Sequence, residues 1–277
     1  MNVIGLGKPG CAIAKKLSVY PQYTVYYIDS GCEEENGFNF PHFEHPEEYE
    51  ANVPDLKDFF SEIEGDVTFI LSGASNIAGA SLRILHQLEG CKITVLYIRP
   101  NMTQIEDVKL KMHRACFGVM QEYARSALFE RIILLDNEVI EDILGDIPII
   151  GYFDKINDFI VWNYHMINVL QKSDPVMGKI GKPKETCRIT TLGTVDFETV
   201  EEKSFFNLDT IREKNYFYLL RESDLLSSGK LLKTINGQVS SLEMEDCKSS
   251  YAIYSSSYED NYVLTLYHTP NTQKEEK

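Results

Sequence analysis

Five short apolar runs, at residues 2–6, 23–29, 67–71, 92–98 and 131–136, alternate with stretches whose apolar residues recur at helical spacing. Runs of this length bounded by Gly, Pro, Asn and Ser read as buried strands. Parallel strands need a crossover, usually a helix, so the alternation predicts a parallel sheet with right-handed connections and helices on both faces. The spacing predicts helices over 10–17, 56–63, 77–88 and 102–129, and an irregular acidic stretch over 32–54.

The rhythm changes around Gly145. Residues 153–170 carry Phe153, Ile156, Phe159, Ile160, Trp162, Ile167 and Leu170 on most faces, which predicts a buried helix. Residues 177–184 read as linker, and the chain from Cys187 is strand-rich: 187–192, 215–220, 251–255 and 262–268, with a helix near 224–232. The expected organisation is a Rossmann-like parallel-sheet domain (1–150), a central core helix (151–172), a smaller α+β domain (173–270) and a charged, disordered tail (271–277).

Charge narrows the partners. The chain has 27 Lys+Arg against 42 Asp+Glu, a formal net charge of −15. Such a field repels nucleic acid and anionic lipid, so neither is expected as a direct partner. No apolar run reaches the ~18 residues that span a bilayer. The six cysteines are scattered without a CxxC pair, as reduced thiols are, and no leader-like segment precedes Val3. The expectation is a cytoplasmic protein. His42 and His45 stand among glutamates, but without further ligands they read as a solvated loop, and no metal site is expected.

Three segments carry chemistry. Gly5-Leu6-Gly7-Lys8-Pro9-Gly10, followed by Cys11, sits between a strand and a helix, and Asp29 ends the next strand. Glycines at this spacing let backbone amides approach a phosphate at a helix N-terminus, with the acidic residue on a ribose hydroxyl. Taken alone, the segment suggests a dinucleotide such as NAD(P), or a tight turn without ligand. A second small-residue loop, Gly73-Ala74-Ser75-Asn76 through Gly79, opens a helix at the same sheet edge as a further phosphate cradle. The third segment, Asp136-Asn137-Glu138-Val139-Ile140-Glu141-Asp142-Ile143, directly follows the fifth strand. Here Asn137 also reads as a helix cap.

The third run resembles the tubulin/FtsZ superfamily, whose tubulins carry a nearly identical Asp-Asn-Glu-x-Ile-x-Asp-Ile segment after a strand. The resemblance covers most of residues 1–172. It implies a GTPase-type Rossmann-like domain, a core helix and a smaller second domain. It implies that Asn137 contacts guanine and that Asn157, in Tyr152-Phe153-Asp154-Lys155-Ile156-Asn157, does the same from the core helix. Residues 67–79 resemble the family's strand and signature loop, and residues 93–100 the strand ending in Arg-Pro, which brings in Arg99. The implied nucleotide site thus comprises Gly5, Gly7, Lys8, Gly10, Cys11, Asp29, Gly73, Ala74, Ser75, Asn76, Gly79, Arg99, Asn137 and Asn157. The implied ligand is GTP or GDP, with Mg²⁺. The implied partner is a second copy, head to tail, in a phage-, plasmid- or bacterial-type filament that serves an adaptor or cargo.

Departures from the family pattern bear on hydrolysis more than on binding. The signature loop is GGGTG(T/S)G in the family, and Ile77 here adds bulk where backbone should meet phosphate. Glu44, Glu47, Glu48 and Glu50 crowd the third loop, where they repel a triphosphate unless Mg²⁺ intervenes. The Asn-x-Asp-x-x-Asp catalytic loop is replaced by Ser173-Asp174-Pro175, leaving Asp174, and the later Asp196 and Glu198, as catalytic candidates. The chain is a GTPase only if the family activity is retained. Three readings follow: a guanine-nucleotide-binding filament protein, a tubulin-fold assembly protein without nucleotide, and an NAD(P)-dependent Rossmann enzyme.

Overall fold

The computed structural model describes residues 1–102 and 105–274. The expected strands form the first half of one continuous sheet: β1 (Asn2–Leu6), β2 (Thr24–Asp29), β4 (Asp66–Ser72), β5 (Lys92–Arg99) and β6 (Arg131–Asp136), with the short β3 (Gly37–Asn39) at the edge. They pair in parallel, in the order β3-β2-β1-β4-β5-β6. The strand order reverses at β1, with β2 and β3 added on one side and β4, β5 and β6 on the other, and this leaves a crevice at the carboxyl ends of the strands, where ligands of such sheets sit.

The second half joins the same sheet. Strand β8 (Ile189–Val195) lies parallel to β6, with Ile132 opposite Ile189. Beyond it come β12 (Tyr262–Thr269), β10 (Glu213–Arg221), β11 (Lys248–Ser256) and the two-residue β7 (Met177–Gly178), while β9 (Glu202–Ser204) pairs off β8. The chain is a mixed α/β fold with a largely parallel central sheet.

Alternation along the strands divides the core. On one face Ile4, Leu6, Phe69, Val95 and Tyr97 pack with α4 (Asp107–Arg125) through Phe117 and Met120. On the other, Val3, Ile70, Leu96 and Ile98 meet α1 (Gly7–Leu17) and α6 (Tyr152–Gln171). Helix α6 buries Ile156, Ile160, Tyr164, Ile167 and Leu170 against residues from both halves, including Leu192, Phe217 and Leu264. A third cluster, with Tyr216, Tyr218 and Leu220, covers α8 (Leu231–Ser241).

Several elements differ from the sequence expectation. Residues 56–63 are turns, not a helix: Gln87 accepts the Leu56 amide (2.6 Å) and donates to the Pro54 carbonyl (3.0 Å), strapping the segment down. The stretch read as irregular contains β3 and α2 (Pro46–Ala51), opened by a capping box between His45 and Glu48. The helix expected at 77–88 is a 3₁₀ turn, Asn76–Ala80, followed by α3 (Ser81–His86). Gly79 in this turn lets α2 approach closely, since a Cβ there would overlap the Pro46 carbonyl. Helix α4 is shorter than 102–129, and positions 103 and 104 of that span lie outside the described residues. In the second half, Ser228-Gly229 separates α7 (Glu222–Ser227) from α8, where one helix was expected. At the far end, Gln273 is buried and exchanges backbone hydrogen bonds with the Gln121 side chain, and residues 275–277 lie outside the described residues. Among the described residues no helix is long and apolar enough to cross a membrane.

Candidate functional site

Strands β1, β2, β4, β5 and β6 run in parallel, so Gly7, Asp29, Gly73, Arg99 and Asp136-Asn137 all emerge at one edge of the sheet. The first turn has two kinds of glycine. Gly5 and Gly10 are required by packing: a Cβ on Gly5 would stand 2.6 Å from the Gly10 carbonyl oxygen, and one on Gly10 would overlap the Ile70 carbonyl. These close approaches press α1 onto β1 and β4. Gly7 instead has φ +69°, the conformation that turns the strand into the helix. Helix α1 begins without a side-chain cap and without an acidic residue in its first turn, so its positive end is not neutralised locally. Lys8 is exposed there, and its charge opposes the upward shift that burial imposes on the Asp29 carboxyl. Asp29 also accepts the Ser30 amide (2.9 Å). The Cys11 thiol donates to the Gly5 carbonyl (3.3 Å), and burial pushes its pKa up to about 12, so it remains a thiol.

The second loop is held from beneath and from the side. A Cβ on Gly73 would collide with the Tyr97 hydroxyl, which shares a hydrogen bond with His113 Nδ1 (2.8 Å). Both Tyr97 and His113 are fully buried, so this pair forms a rigid floor under the loop. The Ser75 amide donates to the Ser72 carbonyl (3.2 Å), and Asn76 Nδ2 donates to the Glu44 carbonyl (2.7 Å), tying the loop to the acidic segment. Ala74 lies in the turn between them. Ile77 is buried, and its Cγ2 lies 2.6 Å from where a Cβ on Gly7 would stand. The two loops therefore meet through this isoleucine.

At β6 the structure separates the two roles open to the Asp-Asn pair. Asp136 is the cap of α5 (Asn137–Leu144), accepting the Glu138 amide at 3.0 Å, and it also pairs with Arg99 at 2.9 Å. Burial raises the Asp136 pKa, and the Arg99 guanidinium opposes that shift. Arg99 also lies over the Phe206 ring (5.9 Å to the centroid). With the cap supplied by Asp136, Asn137 Oδ1 is buried without a hydrogen-bond partner among the described residues.

Asn157 lines an open depression of about 580 Å³ with Ala12, Ile149, Gly151, Tyr152, Phe153 and Asp154. Of the expected site residues only Asn157 lines it. Tyr152 and Phe153 are functional candidates that sequence reasoning passed over. Phe153 is 66% exposed one helical turn before Asn157, and that i, i+4 spacing of an aromatic and an amide was the available signal. Tyr152 donates to Glu141 Oε2 (2.5 Å), fastening α6 to α5, and burial followed by that bond pushes its pKa to about 12.

The catalytic candidates do not converge. Asp196 accepts the amides of Glu198 (3.0 Å) and Thr199 (2.7 Å), which hold its carboxyl below the usual range and close its own turn. Glu198 is exposed in that hairpin, after β8, which runs in the direction of β6. Asp174 is exposed just past α6, whose last residues share a recess with Met1, Asp66 and Lys92 at the opposite edge of the sheet. Among the described residues no three His, Cys, Asp or Glu side chains are grouped to hold a metal.

No family profile and no curated protein matches the chain. Solved structures do. A GTPγS-form protofilament of TubZ from Bacillus thuringiensis serovar israelensis superposes with a TM-score of 0.73, covering 96% of this chain and 86% of that one at 13% identity. A mutant FtsZ from M. jannaschii gives 0.68, covering 98% and 90% at 11% identity. A helical model of the four-stranded TubZ-Bt filament gives 0.70, covering 96% and 85% at 13% identity. With these strands, this core helix and this second half in common, the chain has the tubulin/FtsZ fold.

Proposed function

We propose that the chain binds a guanine nucleotide along the carboxyl edge of its sheet and assembles head to tail with further copies. The observation that carries the reading is the orphaned Asn137 Oδ1. A buried acceptor left without a donor costs about 1–3 kcal/mol, and the N–H groups on a guanine edge would remove that cost. Asn157 offers a second amide, and Phe153 a flat apolar face for the base. Lys8 and the uncapped start of α1 supply positive charge for the phosphates. Glu44, Glu47 and Glu50, all exposed, would require a divalent cation such as Mg²⁺ beside a triphosphate. The TubZ structures with the same fold were solved as GTPγS- and GDP-form protofilaments and as filaments, which supports both halves of the proposal.

Hydrolysis is not part of it. Asp196 is engaged in its own turn, and the family's Asn-x-Asp-x-x-Asp loop is replaced here by Ser173-Asp174-Pro175. The dinucleotide reading is set aside because it leaves the run 136–143 and the fold shared with TubZ and FtsZ unexplained.

Isothermal titration tests the proposal. GTP and GDP bind, ATP binds at least tenfold more weakly, and Asn137→Ala lowers guanine-nucleotide affinity by a factor of ten or more. The absence of heat with either guanine nucleotide, together with no pelletable polymer, sinks it. One observation favours a second reading, assembly without nucleotide: Ile77 fills the space above Gly7. Polymer that pellets equally with and without GTP would decide for it.

A further inference from the structure

The side of the sheet that faces α6 is apolar over most of its length, where Val3, Ile70, Leu96 and Ile133 pack. Two residues earlier on three of those strands the pattern breaks. Alternation puts Thr68, Thr94 and Arg131 on the same face. The parallel register sets them side by side, Thr68 opposite Thr94 and Thr94 opposite Arg131. This polar row lines a recess of about 210 Å³ at the amino ends of the strands, which Tyr164 and Asn168 of α6, Leu192 of β8 and Leu266 of β12 also border.

Arg131 lacks a counter-charge there. It is half-buried, and among the described residues it makes neither an ion pair nor a hydrogen bond. Burial lowers its pKa, Glu130 opposing that shift and Arg188 adding to it. A cation drawn out of water is costly unless an anion and further hydrogen bonds compensate it. The Thr94 hydroxyl is likewise without a partner among the described residues. Asn168 Nδ2 is buried without one, and the hydroxyls nearest to it are engaged elsewhere, Tyr164 with Thr68 (2.6 Å) and Tyr23 with His165 (3.1 Å). Two further cations, Lys92 and Lys172, stand exposed around the recess with Asp66 and Glu130. Glu130 is drawn toward Arg188 (3.9 Å), so positive charge prevails.

We propose that this recess binds a small tetrahedral oxyanion of the phosphate class, held by the Arg131 guanidinium and the Thr94 hydroxyl, with Lys92 and Lys172 at its mouth. A guanidinium offers two parallel donors to such an ion, and a hydroxyl adds a third. The volume lies below the roughly 300–1,000 Å³ of pockets that take larger organic ligands, which excludes a nucleotide. The recess also lies at the opposite edge of the sheet from Gly7 and Gly73, so the proposal does not depend on the nucleotide reading. An ion there would tie the last turns of α6 to strands of both halves, and binding only the folded chain it would stabilise that arrangement.

Isothermal titration of the full chain with inorganic phosphate, at constant ionic strength set with NaCl, tests the site. Wild type binds phosphate saturably, and acetate at least tenfold more weakly. Arg131→Leu lowers phosphate affinity at least tenfold, and Thr94→Val, close in shape, lowers it roughly threefold or more. Lys8→Ala leaves this binding in place. Melting curves without phosphate check the fold: Arg131→Leu melts no lower than wild type, because an unpaired cation has been replaced by an apolar side chain. Added phosphate then raises the wild-type midpoint by about 2 °C or more and leaves that of Arg131→Leu unmoved. Absence of saturable binding, acetate binding as tightly as phosphate, or Arg131→Leu and Thr94→Val that titrate like wild type overturns the proposal. Binding lost in Lys8→Ala and kept in Arg131→Leu also overturns it, since the ion would then sit at the strand-to-helix turn.

Discussion

Replacing Gly73 by alanine tests whether the Tyr97–His113 pair is the floor of the second loop. The added Cβ would overlap the Tyr97 hydroxyl and stand 2.7 Å from both the Tyr97 Cζ and His113 Nδ1. Neither ring can retreat easily, since both are fully buried and pack on Phe117, with ring centroids 5.4 and 5.6 Å away. Forcing a methyl into a packed core costs about 1–3 kcal/mol. Displacing Tyr97 also strains its 2.8 Å bond to His113, worth about 1 kcal/mol more. The expected loss is about 2–4 kcal/mol in urea unfolding. The loop would move with it, because the Ser75 amide is hydrogen-bonded to the Ser72 carbonyl at the same turn. GTP affinity measured by titration falls by a factor of ten or more. Tyr97→Phe removes the atom that overlaps most, so adding it to Gly73→Ala costs less than it costs in wild type, and the double-mutant cycle shows favourable coupling. A Gly73→Ala protein within about 0.5 kcal/mol of wild type, with unchanged affinity, refutes the floor.

Two further predictions concern the second half of the sheet. His268 is fully buried between Thr190 (2.9 Å) and Asn215 (3.3 Å), and burial, with Arg131 adding to it, lowers its pKa to about 3. A base whose folded pKa is depressed contributes stability that is present above the unfolded value, near 6.5, and lost as pH falls toward 3. Urea midpoints measured from pH 6.5 to 4.5 should drop by the equivalent of about 2–3 kcal/mol from this group, and His268→Gln should flatten that slope. The Lys214 ammonium, 1% exposed, pairs with Glu202 at 2.7 Å, and the Tyr216 and Tyr267 hydroxyls donate to the same carboxylate. Glu202→Leu strands the lysine and costs about 3–5 kcal/mol, whereas Glu202→Leu with Lys214→Met costs markedly less; equal losses in denaturation would refute the pairing.

Periodicity made the fold legible where one side of each element is dry. The alternating Val3/Ile4 and Leu96/Tyr97 pairs sort onto the two faces of the sheet, and the all-round apolar character of α6 marks a helix covered from both halves. It failed where a side chain from a distant element decided the local backbone. Gln87 straps residues 54–56 down, and the Pro46 carbonyl lies against Gly79, and neither contact has a local signature. The β7 residues look like linker because a two-residue strand carries no period; only the presence of β11 beside it makes it a strand.

The candidate site divides along the same line. A strand-to-helix turn must place its residues at the carboxyl edge, so Gly7, Gly73, Asp136 and Asn137 were legible there from their order alone. What each residue does at that edge depends on neighbours the sequence does not order. Five glycines looked interchangeable, yet Gly5 and Gly10 answer to helix packing, Gly73 to a tyrosine hydroxyl and Gly79 to α2; only Gly7 needs its own backbone conformation. The Asp-Asn pair behaves likewise. Either residue could have capped α5, and the cap went to Asp136, which Arg99 holds in place from the adjoining strand. That choice is what leaves the Asn137 oxygen buried and unpartnered. On the proposed reading the pair works as a unit: the aspartate satisfies the helix, and the asparagine oxygen is left to accept from a guanine N–H.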